Sequence, residues 1–379
     1  MDSNDDNYDK DKTIIIDNGS FNSKVGFSGY DEPTIIRTCV GYPKYSKTLE
    51  YHSTYYEKNE CFIGDLAIEN RGISKINYPI KYGDITSLNE LEIIWDYFFK
   101  EVLHCDPDSH RIILTEPCNN KRKNREEITK FLFETYNIPA LYFANQAILA
   151  LNSTGRSTGI VVESGDGVTQ IAPVYCNYCI SHAIKRTKYA GKDLTDFMLN
   201  LLSEIGLRFS TSSEKDITKS IKESACYVAQ NYEEEKKFVE DHEIMLPDGK
   251  KIVLKEQRIK CPEVLFNPKL IYIEDDDIVT ACYNSIQKCD IDIKEDMYYN
   301  IILSGGNTNF KGFKTRFESE MGKIVPKSMT VKVSEVEDKI CSVWKGAKTL
   351  SQLPDMESNW ITKKEFEDYG SQIIHRKCF

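Results

Sequence analysis

Two similar segments, Thr13–Gly29 (TIIIDNGSFNSKVGFSG) and Gly159–Tyr175 (GIVVESGDGVTQIAPVY), begin 146 residues apart. Each passes from an apolar run into acid–x–Gly, a polar turn and a second alternating run, the pattern of a β-hairpin. Asp17-Asn18-Gly19 and Glu163-Ser164-Gly165 occupy equivalent places. Glycine-containing turns aim backbone N–H groups at an anion, and the acids can hold a hydrated cation. Two such hairpins facing each other would suit a magnesium–nucleotide polyphosphate. The pattern alone leaves open the alternative of two unrelated hairpin turns.

The rest of the chain fits a duplicated design. At 379 residues it is long for one domain, and its 40% hydrophobic content is enough to build two cores. Helix patterns fall at Leu88–Val102, Asn124–Tyr136, Ala144–Leu151, Gly191–Glu204 and Thr211–Gln230, with a strand at Arg111–Glu116 and another at Asn300–Leu303. Pro247-Asp248-Gly249 reads as a turn between two strands, and Glu274–Asp277 as an acidic loop. Strands alternating with helices in two similar halves imply an α/β fold. Ser304-Gly305-Gly306 ends a strand and is expected to open a helix against which a ligand can lie close to backbone.

Net charge of −10 and a pI near 5.3 argue against a direct grip on nucleic-acid phosphates or anionic membranes. No run of 18 apolar residues suggests membrane insertion, and MDSNDDNYDKDK is unlike a signal peptide, so a soluble intracellular chain is expected. The twelve cysteines are then expected as reduced thiols. Cys176-Asn177-Tyr178-Cys179 is a lone C-x-x-C with only His182 as a further nearby ligand, so an ordinary strand is the better reading than a zinc site. Residues 1–12 are polar and acidic, either a flexible solubilising tail or a docking site for a basic partner.

The motifs IIDNGS, GFSG, YPIKYG, ILTEP, QAILAL, GRSTGIVVESGDGVT, AGKDLTDFML, IKESACYVA, LPDG, CPEVLF, NSIQKCDIDI, ILSGG and the closing HRKCF run through nearly the whole chain. In these the chain resembles actins, as a divergent member. The ending and spacing separate it from the sugar kinases and chaperones of the wider superfold. The resemblance implies the actin-type α/β fold, two-lobed and duplicated around a central nucleotide cleft. A flexible acidic N-terminus (1–12) would precede a first lobe (13–150 with 341–379, including an intersubunit loop at 45–60) and a second lobe (151–340). It implies ATP or ADP with Mg2+ or Ca2+ as cofactors. Asp17 would hold the metal through water, and so would Glu163. Gly19, Ser20 and Phe21 would cradle phosphates that Lys24 bridges, and Gly165, Asp166 and Gly167 would form the second phosphate turn. Gln146 would orient the attacking water. Gly191, Lys222, Glu223, Gly306 and Phe310 would line the adenosine end, with Lys339 beside it. The physical needs of phosphoryl transfer are charge neutralisation, in-line positioning and a placed water.

Several residues depart from that family's pattern. Phe21 stands where a phosphate-loop glycine is expected, so strain at a positive φ is the concern. Glu163 replaces an aspartate near the metal, and Gln170 replaces a histidine, removing a titratable group. Tyr82 replaces the histidine that many actins methylate, and Ile340 a lysine over the adenine. ATP binding with slowed hydrolysis is therefore expected. The Tyr45–Glu60 loop is longer and more aromatic than the family's intersubunit loop. Leu270–Asp277 (LIYIEDDD) carries acids where actins have an apolar plug, which predicts repulsion across a close interface. The favoured function is a cytoskeletal, cytoplasmic ATP-binding protein that assembles into or copolymerises with actin filaments, with hydrolysis timing assembly. Its implied partners are other actin subunits and myosin-like proteins whose basic loops meet the acidic N-terminus. The alternative is a non-filamentous scaffold subunit of a nucleating or chromatin-remodelling complex. A phosphotransferase of the same superfold would need a carboxylate base at an acceptor pocket, and none stands out.

Overall fold

The computed structural model describes residues 12–44, 61–209 and 211–378. The acidic segment up to Asp11 and the Tyr45–Glu60 loop lie outside the described residues. The described residues fall into two compact units, one running to Ser157 and resuming at Cys341, the other Thr158–Ile340.

The first unit is built on a six-stranded sheet. Its order is Ile361–Thr362, Ala140–Asn145, Ile112–Glu116, Ile14–Asp17, Asn22–Phe27, Thr34–Arg37. Ile14–Asp17 and Asn22–Phe27 form the expected hairpin, and Ile14–Asp17 also pairs in parallel with Ile112–Glu116. Both faces of this central strand are covered, which is why IIID reads as an unbroken apolar run rather than an alternation. Ile14, Ile16, Leu114, Trp95, Phe98 and Phe143 share one core. In this unit the helix Ser342–Ser351 lies against Gln146–Asn152 at a glycine: a Cβ on Gly346 would sit 2.0 Å from the Leu149 carbonyl oxygen.

The second unit repeats the plan. Gly159–Ser164 and Thr169–Tyr175 form a hairpin, and Gly159–Ser164 pairs in parallel with Ile301–Ser304. The sheet order is Tyr178–Cys179, Thr169–Tyr175, Gly159–Ser164, Ile301–Ser304, Val333–Glu335. Ile160, Val162, Leu194, Met198, Leu303 and Phe313 are buried together in its core.

The element readings hold with local differences. The helix expected at Ala144–Leu151 starts at Gln146, because Ala140–Asn145 is a buried strand and the Asn145 side chain accepts the Ala147 N–H at 3.0 Å as an N-cap. The helix expected over Thr211–Gln230 spans Ser212–Ala225. It stops there because the Tyr227 and Val228 N–H groups donate to the Arg258 and Lys311 carbonyls at 3.1 and 2.9 Å instead. Gly305-Gly306 does not open an α-helix. A single 3-10 turn follows at Gly306–Asn309, and the helix begins at Phe313 after Gly312 with φ 85°. Cys176 and Asn177 take left-handed φ values of 50° and 62° in a tight hairpin turn, leaving Cys176 exposed and Cys179 buried.

Candidate functional site

The first turn is organised around one buried carboxylate. Asp17 is 2% exposed. Its Oδ2 accepts the Lys24 ammonium at 2.9 Å, and Lys24 is also its cross-strand partner. Its Oδ1 accepts the Thr115 hydroxyl at 2.6 Å and the Gln146 amide at 3.2 Å. A buried carboxylate with a cation and two neutral donors is electrostatically satisfied. Asp17, Lys24 and Gln146, singled out on the sequence, thus lie together, and Thr115 joins them from the adjacent parallel strand.

The turn itself is tight at Gly19, where a Cβ would lie 2.3 Å from the Asn22 carbonyl oxygen. Ser20 Oγ accepts the Gly83 N–H at 3.1 Å, next to Tyr82 with φ 53°. The concern over Phe21 is not realised: it is not among the non-glycine residues with positive φ. Gly19 carries the steric restriction, and the Phe21 side chain packs under the Arg37 guanidinium, 4.1 Å from ring centroid to Cζ.

The second turn also joins two antiparallel strands, with different side chains. Gly165 N–H donates to the Val168 carbonyl at 2.8 Å, with Asp166 and Gly167 forming the bend. A Cβ on Gly165 would meet nothing closer than that carbonyl oxygen at 3.6 Å. Glu163 faces Gln170 across the hairpin, and the Gln170 amide donates to its Oε2 at 2.7 Å. Asp166 accepts the Lys219 ammonium at 3.0 Å. Burial pushes Lys219 down to about 8, although Asp166 works against that shift.

Asn307 and Gly191 lock this turn to its neighbours. Asn307 Nδ2 donates to Ser164 Oγ at 3.0 Å and to the Gly165 carbonyl at 2.7 Å, and Gly191 N–H donates to the same carbonyl at 2.9 Å. Gly191 begins the helix Gly191–Glu204, whose N-terminus therefore abuts the turn. Lys222 is 2% exposed and donates to the Gly191 carbonyl at 2.9 Å and the Thr195 hydroxyl at 3.0 Å. Glu223 is exposed, 3.9 Å from Lys219. Gly305, with φ 84°, passes so close to Ser164 that a Cβ would sit 2.4 Å from its carbonyl oxygen, whereas Gly306 has open space. Phe310 is buried, and Lys339 donates to the Thr308 carbonyl at 2.8 Å and pairs with Glu335. Within the second unit, Gly165, Asp166, Gly191 and Lys222 are therefore linked through shared bonds.

A family model described as Actin matches residues 8–379. The chain belongs to the actin family. Its fold is the actin-type α/β fold, and the repeated hairpins with their parallel partner strands are its duplicated core. Thr115, Lys219 and Asn307 were not singled out on the sequence. Thr115 and Asn307 carried no local signal, since each acts through a strand or turn paired far away in the chain. Lys219 could be suspected only by its place one helical turn before Glu223, on the face that meets Asp166. No helix among the described residues is long and apolar enough to cross a membrane.

Proposed function

We propose that this actin-family protein binds ATP or ADP with a divalent cation, magnesium or calcium, using the turn of each unit. We further propose that it assembles into actin filaments or copolymerises in them as a cytoskeletal protein, with slowed hydrolysis timing assembly. The observation that carries the reading is the matched pair of acids, Asp17 at the end of its strand and Glu163 one residue before the end of its own, each beside a glycine turn with backbone N–H groups. Carboxylate oxygens at both positions are the donors a hard cation takes, so the residues fit a water-mediated Mg2+ or Ca2+. When bound, that cation supplies charge neutralisation for the phosphates.

On this reading Lys24 exchanges part of its contact with Asp17 for phosphate oxygens. Gln146, oriented by Asp17, positions the attacking water. Ser20 and Phe21 contribute the first turn, Gly165, Asp166 and Gly167 the second. Gly191, Glu223, Gly306, Phe310 and Lys339 shape the adenosine end. Lys222 joins that end, its ammonium held by the Gly191 carbonyl and the Thr195 hydroxyl at the helix N-terminus. Gln170 gives Glu163 a neutral amide where a titratable imidazole would relay a proton, which favours binding with slow turnover.

The acids of the Leu270–Asp277 segment carry less repulsion than their sequence implies. Asp277 caps the helix Ile278–Gln287, Asp276 lies 3.5 Å from the Lys185 ammonium and accepts the Asn284 amide, and Asp275 accepts the Lys188 N–H. The repulsion that the sequence implies across a close interface is thereby eased at Asp276, while Glu274 stays exposed. A second reading, a non-filamentous scaffold subunit, draws on Tyr272 of the same segment, which is 97% exposed in the left-handed region at φ 59°. Reversible sedimentation with magnesium–ATP, alone and with conventional actin, separates the two. Pelleting that reverses on dilution, or pelleting only alongside actin, supports assembly. A chain that binds ATP and stays in the supernatant in both settings overturns assembly and leaves the scaffold reading.

A further inference from the structure

Resting on the nucleotide-binding reading above, we propose that Phe21 and Arg37 form a cation–aromatic brace that holds the first phosphate turn in shape, with Arg37 as a positioning residue. Arg37 ends the strand Thr34–Arg37 directly opposite Asn22, and its guanidinium carbon lies 4.1 Å from the Phe21 ring centroid. Two further ties run between the same short segments. Thr38 N–H donates to the Phe21 carbonyl at 2.9 Å, and the fully buried Ser23 and Thr38 hydroxyls share a 2.9 Å bond. The Asp65 carboxylate lies 3.8 Å from Arg37 Nε, so the guanidinium is held by the ring on one face and by a carboxylate at its edge.

The physical consequence follows from what a turn of this kind needs. Its backbone donors must keep their aim as the polyphosphate arrives and leaves. A glycine at position 21 would supply no side chain to resist distortion, and its larger conformational freedom would be lost on ordering. Phe21 instead packs its ring against a planar cation, which stacks on an aromatic face more favourably than a compact ammonium does. On the far side, the Ser20 hydroxyl is tied to Gly83 N–H, and Gly19 is closed against the Asn22 carbonyl. The turn is therefore gripped from both flanks. In the Phe21–Arg37 contact the ring is the side chain that stands in place of a family glycine.

The test is the dissociation rate of 1,N6-etheno-ATP from the full chain in magnesium buffer, chased with excess ATP. Arg37→Ala and Phe21→Leu are each expected to speed release by roughly three- to tenfold, the range a partly buried cation–aromatic contact supports. Phe21→Tyr, which keeps the ring, should stay close to the parent. The double variant Phe21→Leu/Arg37→Ala should release no faster than the faster single change, because both remove one interaction. Arg37→Ala should also lower ATP affinity more than AMP affinity, since the brace acts on the turn that meets the outer phosphates; a general loss of packing would weaken both alike. Unchanged release rates, or additive effects in the double variant, overturn the brace while leaving nucleotide binding intact. A parent chain that retains no etheno-ATP overturns the nucleotide reading itself and the brace with it.

Discussion

The two hairpins share a backbone plan and differ in where each keeps its positive charge. In the first, the strand-end acid Asp17 faces Lys24; in the second, the matching acid Glu163 faces Gln170, and the cation arrives from a separate helix as Lys219 on Asp166. The first turn is also sterically closed at Gly19, whereas Gly165 has room for a methyl group. The comparison teaches that duplication preserved strand pairing, which the core enforces, while the charges were redistributed around it. The first turn is a charge-paired unit closed at its glycine. The second is held by Asn307 and Gly191, with steric room at Gly165, a neutral partner for Glu163 and a lysine near its titration range.

The largest expected contrast is between Asp17→Asn and Glu163→Gln. Removing the Asp17 charge strands a largely buried ammonium and costs about 3–5 kcal/mol of stability in urea unfolding. Glu163→Gln exchanges one hydrogen bond to an amide for another and costs about 1 kcal/mol. Equal losses would break the distinction between a charge-paired and a neutral hairpin.

Next is the same change at equivalent glycines. Gly19→Ala forces a Cβ into a carbonyl oxygen and is expected to destabilise by roughly 1–3 kcal/mol, with weakened ATP binding. Gly165→Ala meets only ordinary contact and stays within about 0.5 kcal/mol of the parent. Thermal unfolding of both variants decides whether the first turn is the tighter one.

Much of this asymmetry was legible in the sequence, and some of it was not. The two hairpins, the acids at their ends and the helix Gly191–Glu204 follow from apolar patterning and turn residues. The family resemblance is confirmed across residues 8–379. The worry over Phe21 came from treating a family glycine as a conformational requirement, when the steric demand falls two residues earlier at Gly19. The strand Ala140–Asn145 was missed because a buried strand running straight into a helix shows neither period cleanly. Thr115, Lys219 and Asn307 reach Asp17, Asp166 and Ser164 through tertiary pairing at separations of 98, 53 and 143 residues.

A smaller effect concerns turnover. The double change Glu163→Asp with Gln170→His should raise single-turnover phosphate release several-fold by restoring a shorter acid and a titratable neighbour. Release that stays at the parent rate removes these two residues as the cause of slow hydrolysis.

The smallest effect is a pH dependence confined to the second turn. Burial holds Lys219 near 8, so it is charged below that pH and neutral above it. Deprotonation leaves Asp166 without its cation beside an anionic ligand, so ATP affinity should fall by roughly two- to fivefold from pH 7 to 9. Lys219→Arg should flatten that fall, because a guanidinium keeps its proton throughout. A fall of the same size in Lys219→Arg would assign it to another group.

The most direct test of the central claim is calorimetric titration of the purified chain with ATP, with and without magnesium. Saturable binding of a single nucleotide, tightened by magnesium and weakened in both Asp17→Asn and Gly19→Ala while Gly165→Ala binds as the parent does, is the predicted result. Absence of saturable binding, or binding indifferent to magnesium and to Asp17, would contradict the assignment of the hairpin turns as the nucleotide site.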